Sequence, residues 1–206
     1  DWDPVRGGLE AHDLVLRRYP KAAARVVAEP PRLDVARRQL LPPWWRVGAA
    51  RPNFDPMPDG AVQMLWANMA LHMVADPQAL IAAWHRALAV DGFLMFSCLG
   101  PDTLRELRAV YQRAGWPPPS HQYTDMHDWG DMLVHAGFAE PVMDMERITL
   151  TWESPAKLLA ELRGMGANLH PGRFPALRGR GWRTQLEEAL TAGLPGADGR
   201  LALTFE

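Results

Sequence analysis

The side chains of this chain that could do chemistry fall into a few groups, and none spells a covalent mechanism. His121, Asp125, His127, Asp128 and Asp131 crowd into one short stretch and are of the types that ligate divalent metals. The two histidines do not stand at i and i+4 of one helix, and no cysteine joins them, so the spacing argues against a metal site. Asp125 reads more simply as a helix-start residue, with Asp128 and Asp131 in early turns where the helix dipole favours acids. Arg163, Arg173, Arg178 and Arg180 could hold an anion, because a guanidinium grips a carboxylate through two parallel hydrogen bonds. A solvated basic face is the other reading. Asn68 and His72 follow an apolar run, at the carboxyl end of a strand, where open α/β sheets bind their ligands. A helix-start role for Asn68 and plain packing for His72 stand beside that reading. The single cysteine, Cys98, has Phe96 and Leu99 as neighbours, and neither lowers a thiol pKa. The spacing argues for no Ser-His-Asp or Cys-His arrangement.

The elements that must carry these residues alternate. Gly8 to Arg18 has apolar residues at helical spacing and stops at Tyr19-Pro20. Arg25 to Ala28 reads as a short strand, Leu33 to Leu40 as a helix and Trp45 to Ala49 as a strand. Val62 to Ala67 is a further strand, followed by a helix from Pro77 to Leu88 with Asp76 as N-cap and Pro77 in the first turn. Asp91-Gly92 then turns the chain into Gly92 to Leu99, whose lack of polar alternation predicts a strand buried on both faces. Thr103 and Glu106 have the spacing of a capping box for a helix to about Gln112. Past the loop Trp116-Pro117-Pro118-Pro119-Ser120 come a helix from about Met126 to Ala136 and a long strand from Val142 to Trp152. A helix from Ser154-Pro155 to Gly164 and another near Thr184 to Ala192 complete the pattern. Strands alternating with helices predict an α/β fold on a parallel, doubly wound sheet.

At 206 residues, 48% of them hydrophobic and 9 of them tryptophan, the chain can bury a real core as one domain. A formal net charge of −2 gives no reason to expect nucleic acid or an anionic membrane as partner. Trp44, Trp45, Trp66 and Trp84 have no concentrated basic charge beside them, so they read as core or pocket wall rather than base-stacking platforms. One cysteine allows no internal disulfide, which fits a reducing, cytoplasmic location. No apolar run of about 18 residues and no basic-then-apolar leader is visible. The chain opens at Asp1 without a methionine and stops at Thr204-Phe205-Glu206 as if within a strand. Further sequence is therefore expected beyond both ends.

The helix–Asp91-Gly92–strand unit resembles the turn into the fifth strand of class I S-adenosylmethionine-dependent methyltransferases. More specific pieces follow from Asp59 onward: Leu65-Trp66-Ala67-Asn68-Met69-Ala70-Leu71-His72, Phe96-Ser97 through Glu106-Leu107, and Met126-His127-Asp128-Trp129-Gly130-Asp131 with Ala136-Gly137-Phe138. Leu162-Arg163-Gly164-Met165-Gly166-Ala167-Asn168 runs on to Gly172-Arg173, and Asp198-Gly199-Arg200-Leu201 leads to Leu203-Thr204-Phe205. Together these resemble the biotin-synthesis (BioC-like) methyltransferases, which esterify the malonyl group on acyl carrier protein. The resemblance implies a Rossmann-like class I sheet with helices on both faces over residues 1–206, and a helical lid from insertions at about 101–140 and 153–195. It also implies S-adenosylmethionine as cofactor and a small carboxylate, carried by acyl carrier protein or otherwise, as acceptor.

By the same resemblance Asp1 is the acidic residue ending the first strand, and Gly7 or Gly8 supplies the last glycine of the loop against the cofactor's methionine part. Glu29 grips the ribose hydroxyls, with a cap of the helix starting near Arg32 as its other reading, and Asn53 or Asp55 lies near the adenine if the loop shifts. Asn68 and His72 face the methyl-transfer end, and Arg173, closing the family block, holds the substrate anion. Asp3, Pro4 and Val5 stand where the family has loop glycines. Arg51 falls near its adenine-accepting aspartate, where a guanidinium, having donors only, cannot accept. Two readings follow: an O-methyltransferase of the biotin-synthesis type, or a binding or assembly protein that keeps the fold without catalysis. Methyl transfer to a carboxylate needs no covalent intermediate, because alignment and exclusion of water suffice for an ionised nucleophile.

Overall fold

The computed structural model describes residues 14, 16–23, 57–164, 168–176, 178–196 and 198–206. The expected elements at Arg25, Leu33 and Trp45 lie outside the described residues; of the first expected helix, Leu14 and Leu16 to Arg18 are helical. The named elements are β1 (Val62–Asn68), a 3-10 turn (Leu71–Met73), α1 (Pro77–Ala87), β2 (Leu88–Ser97), α2 (Arg105–Arg113) and α3 (Met126–His135). They continue with β3 (Ile148–Trp152), α4 (Pro155–Gly164), α5 (Arg180–Gly193) and β4 (Leu201–Phe205). The architecture is α/β, in two compact units: one holds β1, α1, β2 and the last residues of α3, and the other holds α2, β3, α4, α5 and β4.

In the first unit β1 and β2 pair in parallel, Leu65 with Leu94, Ala67 with Phe96 and Asn68 with Ser97. Leu65 and Ala67 are buried. Helix α1 starts as its sequence dictates: Pro77 opens the first turn and the Asp76 carboxylate accepts from the Ala79 amide at 3.0 Å. Leu80, Ile81, Trp84 and Ala87 form its buried stripe. The Asp91-Gly92 turn proves to be a bulge inside β2 rather than its beginning. Val62 pairs with Leu88 and Met64 already with Phe93, so the extra β2 residues loop out, with Asp91 at φ 62°. A Cβ on Gly92 would lie 2.8 Å from the Ala89 carbonyl oxygen, which is why the bulge needs glycine there.

The expectation that β2 is buried on both faces is corrected. Phe93 and Met95 are 48% and 50% exposed, and Ser97 shares their open face. Hydrophobic periodicity could not detect this, since Phe93 and Met95 are as apolar as Leu94 and Phe96 on the other face.

In the second unit β3 and β4 pair antiparallel from Ile148 opposite Phe205 to Trp152 opposite Leu201. Helix α2 packs against α5 and β4, and α4 against α5 and β3. Leu158, Leu186, Leu190, Leu201 and Leu203 are buried there. The long strand expected from Val142 begins only at Ile148, because the five residues of β4 give a partner no earlier, and Val142 is 93% exposed.

The expected capping box of α2 does not form. Leu104 takes the N-cap position at φ 60° without a side-chain cap. Thr103 and Glu106 turn to the β4 end instead: the Thr103 hydroxyl donates to the Glu206 carbonyl at 3.2 Å and accepts from its amide at 3.1 Å. The Glu106 carboxylate accepts from the Thr204 amide at 2.9 Å and its hydroxyl at 2.6 Å. The edge groups of β4 take these side chains in place of the first amides of the helix, because buried strand amides need partners.

Candidate functional site at the carboxyl ends of the parallel strands

Parallel pairing in register brings Asn68 and Ser97 side by side where β1 and β2 end. The Ser97 hydroxyl lies 2.5 Å from Asn68 Oδ1 and accepts from the Met69 amide at 3.1 Å. That amide also donates to the Ser97 carbonyl at 2.9 Å. Met69 sits at φ 53°, a left-handed conformation that costs a side-chain-bearing residue roughly 1–2 kcal/mol and that recurs at functional sites. The 3-10 turn carrying half-buried His72 follows directly.

Sequence reasoning singled out Asn68 and His72 but not Ser97. Ser97 is visible in the sequence as the polar residue that ends the apolar run of β2, but only the strand register sets it beside Asn68. Cys98 lies just past β2 rather than within it, partly buried, and burial pushes its thiol up to about 11. It is protonated at neutral pH, in keeping with an inert role.

Asp1, Gly7, Gly8, Glu29 and Asn53 lie outside the described residues. Arg173, in the second unit, is exposed, and its Nη1 donates to the His170 carbonyl at 3.2 Å, which leaves most of its donors free for an anion. Asn168, within the family block, is a structural pin: its Nδ2 donates to the Pro118 carbonyl at 2.8 Å and its Oδ1 accepts from the His170 amide at 2.9 Å. Arg178 does not join an ion pair among the described residues; its guanidinium lies 4.2 Å from the Phe174 ring centre and 4.0 Å from that of Trp182. Trp182 stacks in turn near Tyr111 and Trp116.

The acidic and histidine cluster resolves into a helix start. Asp125 Oδ1 accepts from the His127 amide at 2.8 Å and lies 2.7 Å from its Nδ1. These bonds, the amide's first, hold the Asp125 carboxyl below its ordinary pKa. Among the described residues no group of three metal-ligating side chains could hold an ion, and no helix is long and apolar enough to cross a membrane.

A methyltransferase-domain model matches residues 7–96. The malonyl-[acyl-carrier protein] O-methyltransferase of Laribacter hongkongensis is 39% identical over 204 residues, which span 94% of this chain and 68% of that protein. This chain belongs to the malonyl-[acyl-carrier protein] O-methyltransferase family. The enzyme of that name from Xylella fastidiosa is 34% identical over 211 residues, 99% of this chain and 70% of its own. The one from Gallionella capsiferriformans is 43% identical over 155 residues, 73% of this chain and 52% of its own. Relative to these family members the chain thus spans between about half and 70% of their length. Among solved structures it is similar to the YcgJ protein from Bacillus subtilis, with a TM-score of 0.48 and 14% identity, over 95% of this chain and 73% of that one.

S-adenosylmethionine is the methyl donor of this methyltransferase family. The described share of the site fits such a ligand in one respect. Asn68 is half-buried, its Oδ1 is taken by Ser97, and among the described residues its Nδ2 has no partner. Two N–H donors at a strand's carboxyl end suit a carboxylate-bearing ligand.

Proposed function

We propose that this chain methylates the free carboxylate of a malonyl group carried as a thioester on acyl carrier protein. The observation that carries this reading is the 39% identity, over 204 residues, to an enzyme whose name states that reaction. When bound, S-adenosylmethionine supplies a methyl group on a positively charged sulfur, open to displacement by a carboxylate oxygen.

The chain's own residues then need only orient and shelter the reactants. A malonyl carboxylate is ionised at neutral pH, so no general base is required. A strand end built from an amide and a hydroxyl is sufficient chemistry. In this reading Asn68 lines the reacting centre through its N–H donors, and His72 packs the turn behind it. Arg173 receives the substrate anion, with the flat, aromatic-held guanidinium of Arg178 as a second cation in the same segment. Asp1, Gly7, Gly8, Glu29 and Asn53 hold the cofactor. Alignment of oxygen, methyl carbon and sulfur, with water excluded, supplies the rate.

The test is incubation of the protein with S-adenosylmethionine and either malonyl- or acetyl-acyl carrier protein, read by intact-protein mass spectrometry. A gain of one methyl on the malonyl carrier and none on the acetyl carrier is expected. Binding of S-adenosylhomocysteine without methylation of the malonyl carrier would overturn the proposed acceptor.

A further inference from the structure

The geometry points to Ser97 as a positioning residue that sets Asn68 to present both amide N–H donors to a carboxylate at the ends of β1 and β2. This rests on the reading of Asn68 as part of the methyl-transfer site. The hydrogen-bond roles follow from the distances. The Met69 amide, having only a proton to offer, donates to Ser97 Oγ at 3.1 Å, which leaves the hydroxyl proton free for another acceptor. The 2.5 Å between Ser97 Oγ and Asn68 lies within the range of O–H···O bonds and below that of N–H···O bonds. The group of Asn68 facing Ser97 is therefore its oxygen, and the amide cannot turn over without losing that bond. Its Nδ2 is left without a partner among the described residues. It stands on the open face of the strand pair, where Phe93, Met95 and Ser97 are exposed. An amide locked in this sense donates and does not accept, so it selects an anionic oxygen.

Two carboxylates are available to such a donor: that of the cofactor's amino-acid part and that of the acceptor. Calorimetric titration with S-adenosylhomocysteine and steady-state kinetics on malonyl-acyl carrier protein distinguish them. They are applied to wild type, Ser97→Ala, Ser97→Thr, Asn68→Ala and the Ser97→Ala/Asn68→Ala double variant. If the cofactor's carboxylate is held, Ser97→Ala weakens S-adenosylhomocysteine binding by about tenfold. If the acceptor's is held, that affinity stays unchanged and kcat/KM falls by about tenfold.

In either case Ser97→Thr, which keeps the hydroxyl, stays within about threefold of wild type, and the double variant is no worse than Asn68→Ala, because Ser97 acts through Asn68. Wild-type behaviour of Ser97→Ala in both measurements, or losses that multiply in the double variant, would overturn the inference. Should Ser97→Ala not fold, Ser97→Cys, which keeps the shape with a weaker donor, must show the same loss. If wild type binds S-adenosylhomocysteine but does not turn over the malonyl carrier, the proposed acceptor fails. The role of Ser97 then stands or falls on the binding data alone.

Discussion

The two strand pairs of this chain end in opposite ways. Where β4 finishes beside the start of β3, the polar groups answer one another: Thr103 both donates to and accepts from Glu206, and Glu106 takes both donors of Thr204. The Asp102 amide donates to the Glu206 carboxylate at 2.6 Å, and Arg147 pairs with Asp102 at 2.8 Å. Where β1 and β2 finish, one short bond ties Ser97 to Asn68, a strained Met69 turns the chain, and two amide donors have no partner among the described residues. The first arrangement is what holding a structure together requires. The second leaves capacity for a ligand. Saturated polar ends stabilise, because a buried group without a partner costs about 1–3 kcal/mol; unsaturated, accessible ones are where binding energy remains to be gained.

The contrast can be broken experimentally, and the largest effect belongs to the β3–β4 side. Leu203, fully buried in β4, should cost about 2–5 kcal/mol when replaced by alanine, read as a lower urea midpoint. A loss below about 1 kcal/mol would mean that β4 contributes little to the core.

Next comes Glu106, whose replacement by alanine should cost about 1–3 kcal/mol, since it leaves the Thr204 amide and hydroxyl without their acceptor. Its pH signature sharpens the point. Burial pushes the Glu106 carboxyl upward, but the Thr204 hydroxyl and amide, with help from Arg105, outweigh it and leave the group below its ordinary value. The stability it contributes is therefore complete above the ordinary carboxylate range and is lost as the pH falls through the lowered value. Glu106→Gln should flatten that acid limb in urea titrations run between neutral pH and pH 3. An unchanged acid limb would assign the sensitivity to other carboxylates.

The smallest stability effect is expected on the other side. Asn68→Ala should change unfolding free energy by no more than about 0.5 kcal/mol while methyl transfer or cofactor affinity falls by about tenfold. A destabilisation comparable to that of Glu106→Ala would dissolve the distinction and make Asn68 a second structural pin.

Much of this was legible without coordinates. The Asp76-Pro77 start of α1, the Ser154-Pro155 start of α4 and the helix-start role of Asp125 depend on neighbours a few residues away, and local chemistry decides them. The family pattern likewise rests on blocks whose order is written in the chain, and it located Asn68 at the end of a strand. Three features were out of reach for the same reason. Thr103 and Glu106 match a capping box locally, and only the arrival of β4, about a hundred positions later in the chain, offers them better partners. The strand expected from Val142 could not be cut to Ile148 before the length of β4 was known. Ser97 gains its meaning only from the register that sets it beside Asn68.

The sequence by itself determined the family, the α/β alternation, most helix starts and the identity of the polar residues at the strand ends. The tertiary structure alone decided which of those polar residues are spent on one another and which remain for a ligand. Helix caps and turns are settled within a few residues of chain, whereas a hydrogen bond between strands depends on which distant segment arrives, and in which register.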